Sequence, residues 1–173
     1  RAPMPSAMIA SVAPLAAGLI GVAALFGLCI VALVTLRVRA FGALIYLASA
    51  AACTTLLVSG ATHLLRSDAP DALVLPLGLP WLGAHFRLDA LSAVFLIIVN
   101  LAAAATCVFA VGYGRHESAR GRVLPFFPVF LAAMNLVVLA ADAFSFLVSW
   151  EFMSLSSWAL VMAHHREPGN ARA

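Results

Sequence analysis

One carboxylate, Glu151, lies in the middle of a long apolar segment. It is the ninth residue of the segment 143–163, which places it about 12 Å along a helix of about 31 Å. An ionised side chain at the centre of a bilayer costs at least about 2.5–3.5 kcal/mol, and desolvation favours the neutral acid. A carboxylic acid in this position can take up and release a proton. We therefore predict that Glu151 handles protons or ions; the alternative is a structural hydrogen bond between helices.

Polar side chains surround Glu151 in the sequence. Ser154 follows it by three residues and falls on the same helix face. Hydroxyl and indole groups, which can hold water or a neighbouring helix, occur at Trp150, Ser156, Ser157 and Trp158. His164 and His165 end the segment. Cations at a helix C-terminus interact favourably with the helix dipole; the alternative is that both histidines relay protons toward Glu151.

The composition explains why a charge in this segment is unusual. Hydrophobic residues make up 64% of the 173 residues and charged residues 10%, whereas a soluble domain is about 45–50% apolar and about 25% charged. A soluble domain of this size could not bury so much apolar surface. The composition excludes an ordinary soluble enzyme, a disordered tail and a coiled coil, and it predicts an all-α integral membrane protein.

Five segments with at most one charge each can cross a bilayer core of about 30 Å as helices. They comprise residues 15–36, 41–65, 90–113, 124–141 and 143–163. Prolines fall outside these segments or near their starts, where helices tolerate them. Asp89 and Asp142 immediately precede the third and fifth segments, so we expect both to cap the helices that follow.

The region between the second and third segments has a different composition. Prolines and glycines separate short apolar runs there, at Pro70, Pro76, Gly78, Pro80 and Gly83. This pattern is typical of an extended or β-hairpin-like loop. We therefore divide the chain into the first two transmembrane helices (1–65), an extended periplasmic loop (66–88), the third helix (89–113), and the fourth and fifth helices (123–173).

The arginines are distributed unevenly between the two sides of the predicted bundle. All ten Lys and Arg residues are arginines, and seven of them lie after the first segment, after the third segment or in the C-terminal tail. The positive-inside rule places these three regions in the cytoplasm, and the N-terminus and the 66–88 loop in the periplasm. Because the arginines lie at segment ends rather than along one helix face, we expect the lipid bilayer, and no nucleic acid, as the partner.

The cysteines and the remaining histidines do not predict a metal site. Cys29, Cys53 and Cys107 lie singly in apolar segments, without a CxxC pair. This spacing argues against a zinc or iron–sulfur site and against a disulfide framework, and it favours inert helix packing. His63 and His85 are predicted to be polar residues of the interface and the loop. We expect no cofactor and no metal.

Five motifs of the chain resemble the N-terminal part of the proton-pumping antiporter-like subunits. They are FRLDALS at 86–92, VGY at 111–113, FF at 126–127, LAAD at 139–142 and LVSWEFMSLSS at 147–157. This family is shared by respiratory complex I, Mrp-type antiporters and group 4 hydrogenases, and the motifs are most similar to its hydrogenase-4 component B (formate hydrogenlyase subunit 3) type. The resemblance implies inverted helical repeats with broken helices that line a proton path.

The resemblance also implies a role for one residue of this chain. In the family, a Glu on the fifth helix pairs with a Lys on a later broken helix, and the pair gates proton transfer; only Glu151 carries over. No lysine occurs here and the first residue is not Met, so we expect a piece of a longer protein. The implied partners are other membrane subunits and a peripheral hydrogenase or dehydrogenase arm, in a bacterial inner membrane. The chain itself would hold no redox site.

Two alternatives to a redox-driven proton pump stay open at this point. The first is an Mrp-type cation/proton antiporter subunit without a redox partner. The second is a structural or assembly fragment that transports nothing.

Overall fold

A computed structural model describes residues 6–36, 38, 41–66, 69–78, 83–114 and 120–164, with the side chains of 6–13, 120, 122 and 164 excepted. In chain order these residues form α1 (Ser6–Thr35), α2 (Phe41–Arg66), β1 (Asp71–Leu75), β2 (Ala84–Leu88), α3 (Ala90–Tyr113), α4 (Arg120–Leu139), α5 (Ala143–Val161) and a final 3-10 turn, Met162–His164. Within this part of the chain, four helices (α1 from Pro14, α2, α3 and α5) are long and apolar enough to span a membrane, whereas the apolar part of α4 is shorter, Val123–Leu139. The chain is an all-α, multi-pass membrane protein with a small hairpin.

The first helix begins nine residues earlier than the sequence predicts. It starts at Ser6, so Pro14 lies inside the helix, although Pro14 is the first residue of its membrane-spanning part, Pro14–Thr35, as the sequence predicts. Pro14 has no N–H to donate one turn back. Separately, the Pro14 carbonyl accepts a hydrogen bond from the Ser59 hydroxyl of α2, which joins the two helices at this point.

The main core lies among the first four helices and beneath the hairpin. Leucines from each of these helices and from β2 are buried there: Leu25, Leu56, Leu88, Leu96 and Leu131. No residue of α5 belongs to this described core. The fifth helix packs mainly on α4, and the residues it buries are small serines, at positions 145, 149 and 156.

The contact between α2 and α3 is the most extensive between helices, and Gly60 allows it to be close. A Cβ atom on Gly60 would lie 2.9 Å from the carbonyl oxygen of Ala93 and 3.2 Å from Ile97 Cγ1. Small residues at such points let the backbones of membrane helices approach each other.

We expect Gly60→Ala to lower the free energy of unfolding by about 1–3 kcal/mol, because the new methyl group forces two backbones apart. Gly27→Ala in α1 is the matched control, since nothing lies within 4 Å of its Cβ position and alanine favours helix. The measurement is unfolding of the full chain in mixed detergent micelles. Equal unfolding curves for the two variants would contradict the close packing at Gly60.

The hairpin is fixed to the turn between α4 and α5. Strands β1 and β2 are antiparallel, with Asp71 opposite Leu88 and Leu75 opposite Ala84. An isolated bridge joins Phe86 to Ala140, and the Ala141 N–H donates to the His85 carbonyl at 2.9 Å. The short connection that precedes the fifth helix thus pairs with β2 in the manner of a third strand.

Both predicted aspartate caps are confirmed. Asp89 caps α3 in a capping box with Ser92, and Asp142 caps α5 by accepting from the Ser145 N–H at 2.8 Å. The second carboxylate oxygen of Asp142 accepts from the His85 N–H at 2.9 Å. Asp142 therefore holds the start of α5 and the hairpin at the same time.

These contacts change the acidity of Asp142, which lies outside the spanning segments. Burial raises the pKa of its carboxyl, but hydrogen bonds from Ser145 and from the His85 and Phe144 N–H groups outweigh burial and lower the pKa to about 2. Because the folded-state pKa is below the ordinary 3.8, the charged form stabilises the fold. This contribution is complete above the ordinary pKa and is lost as the pH falls through about 2.

We expect Asp142→Ala to lower the free energy of unfolding by about 2 kcal/mol at neutral pH, because the cap and the hairpin contact are lost together. Asp142→Asn keeps one capping oxygen and should lose less. Detergent unfolding curves recorded from neutral pH down to pH about 2 check both points. The wild type should lose stability relative to Asp142→Ala between the two pKa values; a constant difference would contradict the assignment.

Candidate functional site

The candidate site is centred on Glu151, halfway along α5. Eight residues separate it from Ala143, the first residue of the helix, which corresponds to about 12 Å. The buried serines of α5 lie on one side of the helix, and Glu151 lies on the opposite side. In this chain Glu151 is exposed, so the described residues do not supply the protein interior that an ionised carboxylate needs inside a membrane.

The exposed face around Glu151 is apolar apart from one hydroxyl. Ser154 is exposed beside it, and the hydrophobic side chains one or two turns away, Leu147, Leu155 and Trp158, are each at least 60% exposed. Trp150 is 46% exposed and packs its ring on Phe146 at 5.8 Å. This face can contact lipid everywhere except at Glu151 and Ser154, where the carboxylate and the hydroxyl require polar partners.

Of the two predicted relay histidines, the structure describes only the backbone of His164. His164 ends the 3-10 turn after α5, thirteen residues beyond Glu151, and His165 lies outside the described residues. A helical path of that length is about 20 Å. Ser156, one of the predicted polar neighbours, faces α4 and donates to the Phe152 carbonyl at 2.7 Å. Among the predicted site residues whose side chains the structure describes, Glu151 and Ser154 lie together on the exposed face of α5.

Three close pairs of an acidic and a basic side chain lie at the hairpin end of the described chain, away from Glu151. They join His63 to Asp71, His85 to Asp142 and Arg87 to Asp89, at 3.6, 3.6 and 2.9 Å. None of these three pairs includes Glu151. A cationic partner for this carboxylate, if one exists, is supplied by residues other than those that the structure describes.

His63, predicted as a polar residue of the interface, lies in the last turn of α2. Its side chain is buried at 3% exposure and lies 3.6 Å from the Asp71 carboxylate of β1. This contact could not be predicted from the sequence, because Asp71 lies in a different element, eight residues later, and reaches His63 only when the hairpin folds back over the end of α2. The pair joins the first strand to the second helix.

A buried pair of side-chain amides joins α3 to α4 and was not predicted from the sequence. The Asn100 side-chain amide donates to Asn135 Oδ1 at 2.6 Å, and Asn135 donates back to Asn100 Oδ1 at 3.3 Å. Each amide also donates to a carbonyl of its own helix, those of Leu96 and Leu131. Both side chains are fully buried. The signal was present, because asparagine in the middle of an apolar span is as unusual as glutamate.

The cysteines lie in helices as expected. Cys53 of α2 and Cys107 of α3 are both fully buried in the main core, and Cys29 of α1 is half-buried. All three are free thiols. Their burial in the core agrees with a packing role.

Several known proteins are similar to about half of this chain. No family model matches the chain. It is 34% identical over 79 residues to hydrogenase-4 component B of Escherichia coli, which covers 44% of this chain and 12% of that protein. It is 31% identical over 86 residues to F420H2 dehydrogenase subunit L of Methanosarcina mazei, with 50% and 13% covered. It is 29% identical over 87 residues to NADH-quinone oxidoreductase subunit L of Mycobacterium tuberculosis, with 50% and 14% covered.

These matches cover about half of this chain but only 12–14% of the length of each relative. All three relatives are named as components or subunits of hydrogenases, dehydrogenases or quinone oxidoreductases. Together with the apolar spanning helices, the matches support a relationship between this membrane chain and the complex I-like antiporter family.

Proposed function

We propose that this chain is part of a proton-translocating membrane subunit of a redox-driven complex, of the hydrogenase-4/formate hydrogenlyase or NADH:quinone oxidoreductase kind. One observation carries the proposal. Glu151 is a carboxylate halfway along a spanning helix, on the face that the described residues leave uncovered. A carboxylate is costly there unless further protein covers it and supplies a polar partner, and carboxylates that are kept in such positions mark ion or proton pathways.

The chemistry of such a carboxylate suits proton transfer. When an apolar helix covers Glu151, desolvation favours the neutral acid; when a cationic side chain comes close, the charged form is favoured. A change in the position or protonation of the cation therefore changes the proton occupancy of the carboxylate. The two groups titrate as a coupled pair. In this proposal Ser154 supplies a hydroxyl for the water that connects Glu151 to its surroundings.

The assembly completes the proposal. Residues 123–173 form the beginning of the first antiporter-like repeat, and the N-terminus and the hairpin face the periplasm of a bacterial inner membrane. His164 and His165 lie at the cytoplasmic end. Oxidation and reduction take place in a peripheral hydrogenase or dehydrogenase arm, and other membrane subunits complete the path. Support for these partners comes from the kinds of complex named in the three relatives.

An Mrp-type antiporter subunit is the second candidate, and the driving force separates the two. The full-length protein with its natural partners is placed in sealed vesicles that report internal pH. We expect proton movement when an electron donor and acceptor are added, and none when only a sodium gradient is imposed. Movement driven by sodium alone would favour the antiporter. Proton movement under neither condition, with electron transfer intact, would favour a structural role.

A further inference from the structure

A groove between α1 and α2 is a cavity of the described chain that the proposed function does not use. Its volume is about 370 Å³, and its α1 wall is formed by Pro14 and Ala17. The other wall is one face of α2 that carries Thr54, Thr55, Val58, Ser59, Thr62 and Arg66. These positions fall within about 140° of the helix circumference, at 100° per residue, so they form a continuous strip.

Of the residues that line this groove, only Arg66 carries a charge, and it lies at one end. Arg66 is the last residue of α2 and is exposed. None of the three ion pairs among the described residues includes it. A guanidinium in this place is at the depth of lipid headgroups when α2 spans the bilayer, and its planar donors match phosphate oxygens.

The length of the groove fits one lipid leaflet. Twelve residues separate Thr54 from Arg66, which is about 18 Å along the helix, and one leaflet of a bilayer core of about 30 Å is about 15 Å thick. Thr54 is near the middle of α2, and Val58, which is 50% exposed, gives an apolar wall between Thr54 and Arg66. An acyl chain therefore has space from the arginine to the middle of the membrane.

The hydroxyl groups of the groove are already used as donors. Thr54 and Thr55 donate to the carbonyls of Ala50 and Ala51 in their own helix, and Thr62 donates to that of Ser59. The Ser59 hydroxyl donates to the Pro14 carbonyl at the floor. Because these hydroxyl protons are already hydrogen-bonded, the groove does not require a polar helix as a neighbour. The methyl groups of its threonines can line an apolar chain.

We propose that this groove binds an anionic phospholipid, with the phosphate at Arg66 and an acyl chain between α1 and α2. The occupant is a lipid rather than free phosphate, because the cavity extends along apolar and internally bonded side chains for the thickness of a leaflet. The pairing of a guanidinium with a headgroup phosphate is the same chemistry by which basic pockets on the cytoplasmic side of membrane proteins bind lipids, placed here at the hairpin end of α2.

The test uses the full-length protein, purified in a neutral detergent and titrated with phosphatidylglycerol or phosphatidylcholine of the same chains. Bound lipid is counted by native mass spectrometry. We expect phosphatidylglycerol to bind more tightly, and Arg66→Gln to weaken its binding roughly tenfold, as expected for one charged hydrogen bond. Arg66→Lys should keep most of the affinity. Arg87→Gln is the matched control, since Arg87 is an exposed arginine outside the groove that pairs with Asp89.

A second variant tests the acyl site without touching the charge. Val58→Trp should reduce phosphatidylglycerol binding while Arg66 stays in place, because the indole fills the cavity. Equal binding of the two lipids, or an unchanged affinity in Arg66→Gln, would overturn the proposal. Displacement of the lipid by inorganic phosphate alone would also overturn it, because the site would then recognise the anion and not the lipid.

Discussion

Glu151→Gln should abolish most redox-driven proton translocation by the full-length protein while electron transfer and assembly persist. The amide has nearly the shape of the carboxylic acid but cannot release a proton. Because Glu151 faces away from α4 and contributes nothing to the described core, its replacement should leave the packing of this chain intact. We expect the number of protons moved per electron to fall at least severalfold, as measured by a pH dye inside sealed vesicles.

Two control variants separate the loss of the proton site from a change in the helix surface. Glu151→Asp keeps a carboxylate one methylene shorter and should retain part of the activity. Leu155→Gln places a neutral amide on the same exposed face and should translocate protons normally. If Glu151→Gln and Leu155→Gln lost activity equally, the polarity of the face rather than the proton would explain the effect.

Asn100→Leu should lower the free energy of unfolding by about 1–3 kcal/mol, because it leaves the Asn135 amide buried without its partner. The reciprocal bonds at 2.6 and 3.3 Å join α3 to α4. Both amides are fully buried, and Asn100 lies near the middle of the apolar helix α3, where an unmet donor is costly. Asn135→Leu should cost about as much. Unfolding in mixed detergent micelles measures both.

The double variant decides whether the two amides act as a unit. Asn100→Leu with Asn135→Leu removes both partners together, and we expect it to recover about 1–2 kcal/mol relative to the sum of the single changes. Thr106→Val is the control, because the Thr106 hydroxyl is exposed and bonds within α3. Additive losses in the double variant would mean that the amides do not stabilise each other across the helix contact.

The helices could be predicted because their ends are encoded locally. Asp89 and Asp142 accept from the N–H groups three residues later, and such caps are short-range. The start of α1 could not be predicted, because the helix continues through Pro14, where a contact from Ser59 of α2, 45 residues later, joins the two helices. Propensity alone places the helix start after such a proline.

The candidate site could be predicted only in part, because some contacts depend on how distant parts of the chain meet. The position of Glu151 in an apolar span identified it, and the serines at 145, 149 and 156, spaced by four and seven residues, indicate which side of α5 packs on α4. The pairs His63–Asp71 and Asn100–Asn135 depend on the way in which the hairpin and two helices meet. One sequence contains no direct signal of that geometry, although a polar residue in an apolar span marks each asparagine as a candidate.

The central claim is that Glu151 binds and releases a proton during turnover, and infrared difference spectroscopy tests it most directly. The full-length complex is reconstituted in lipid, and spectra are compared before and during electron transfer. We predict a carboxylic acid C=O band that changes with turnover in the wild type and is missing in Glu151→Gln. The same band in both proteins would contradict the claim, because the titrating carboxyl would then be another residue.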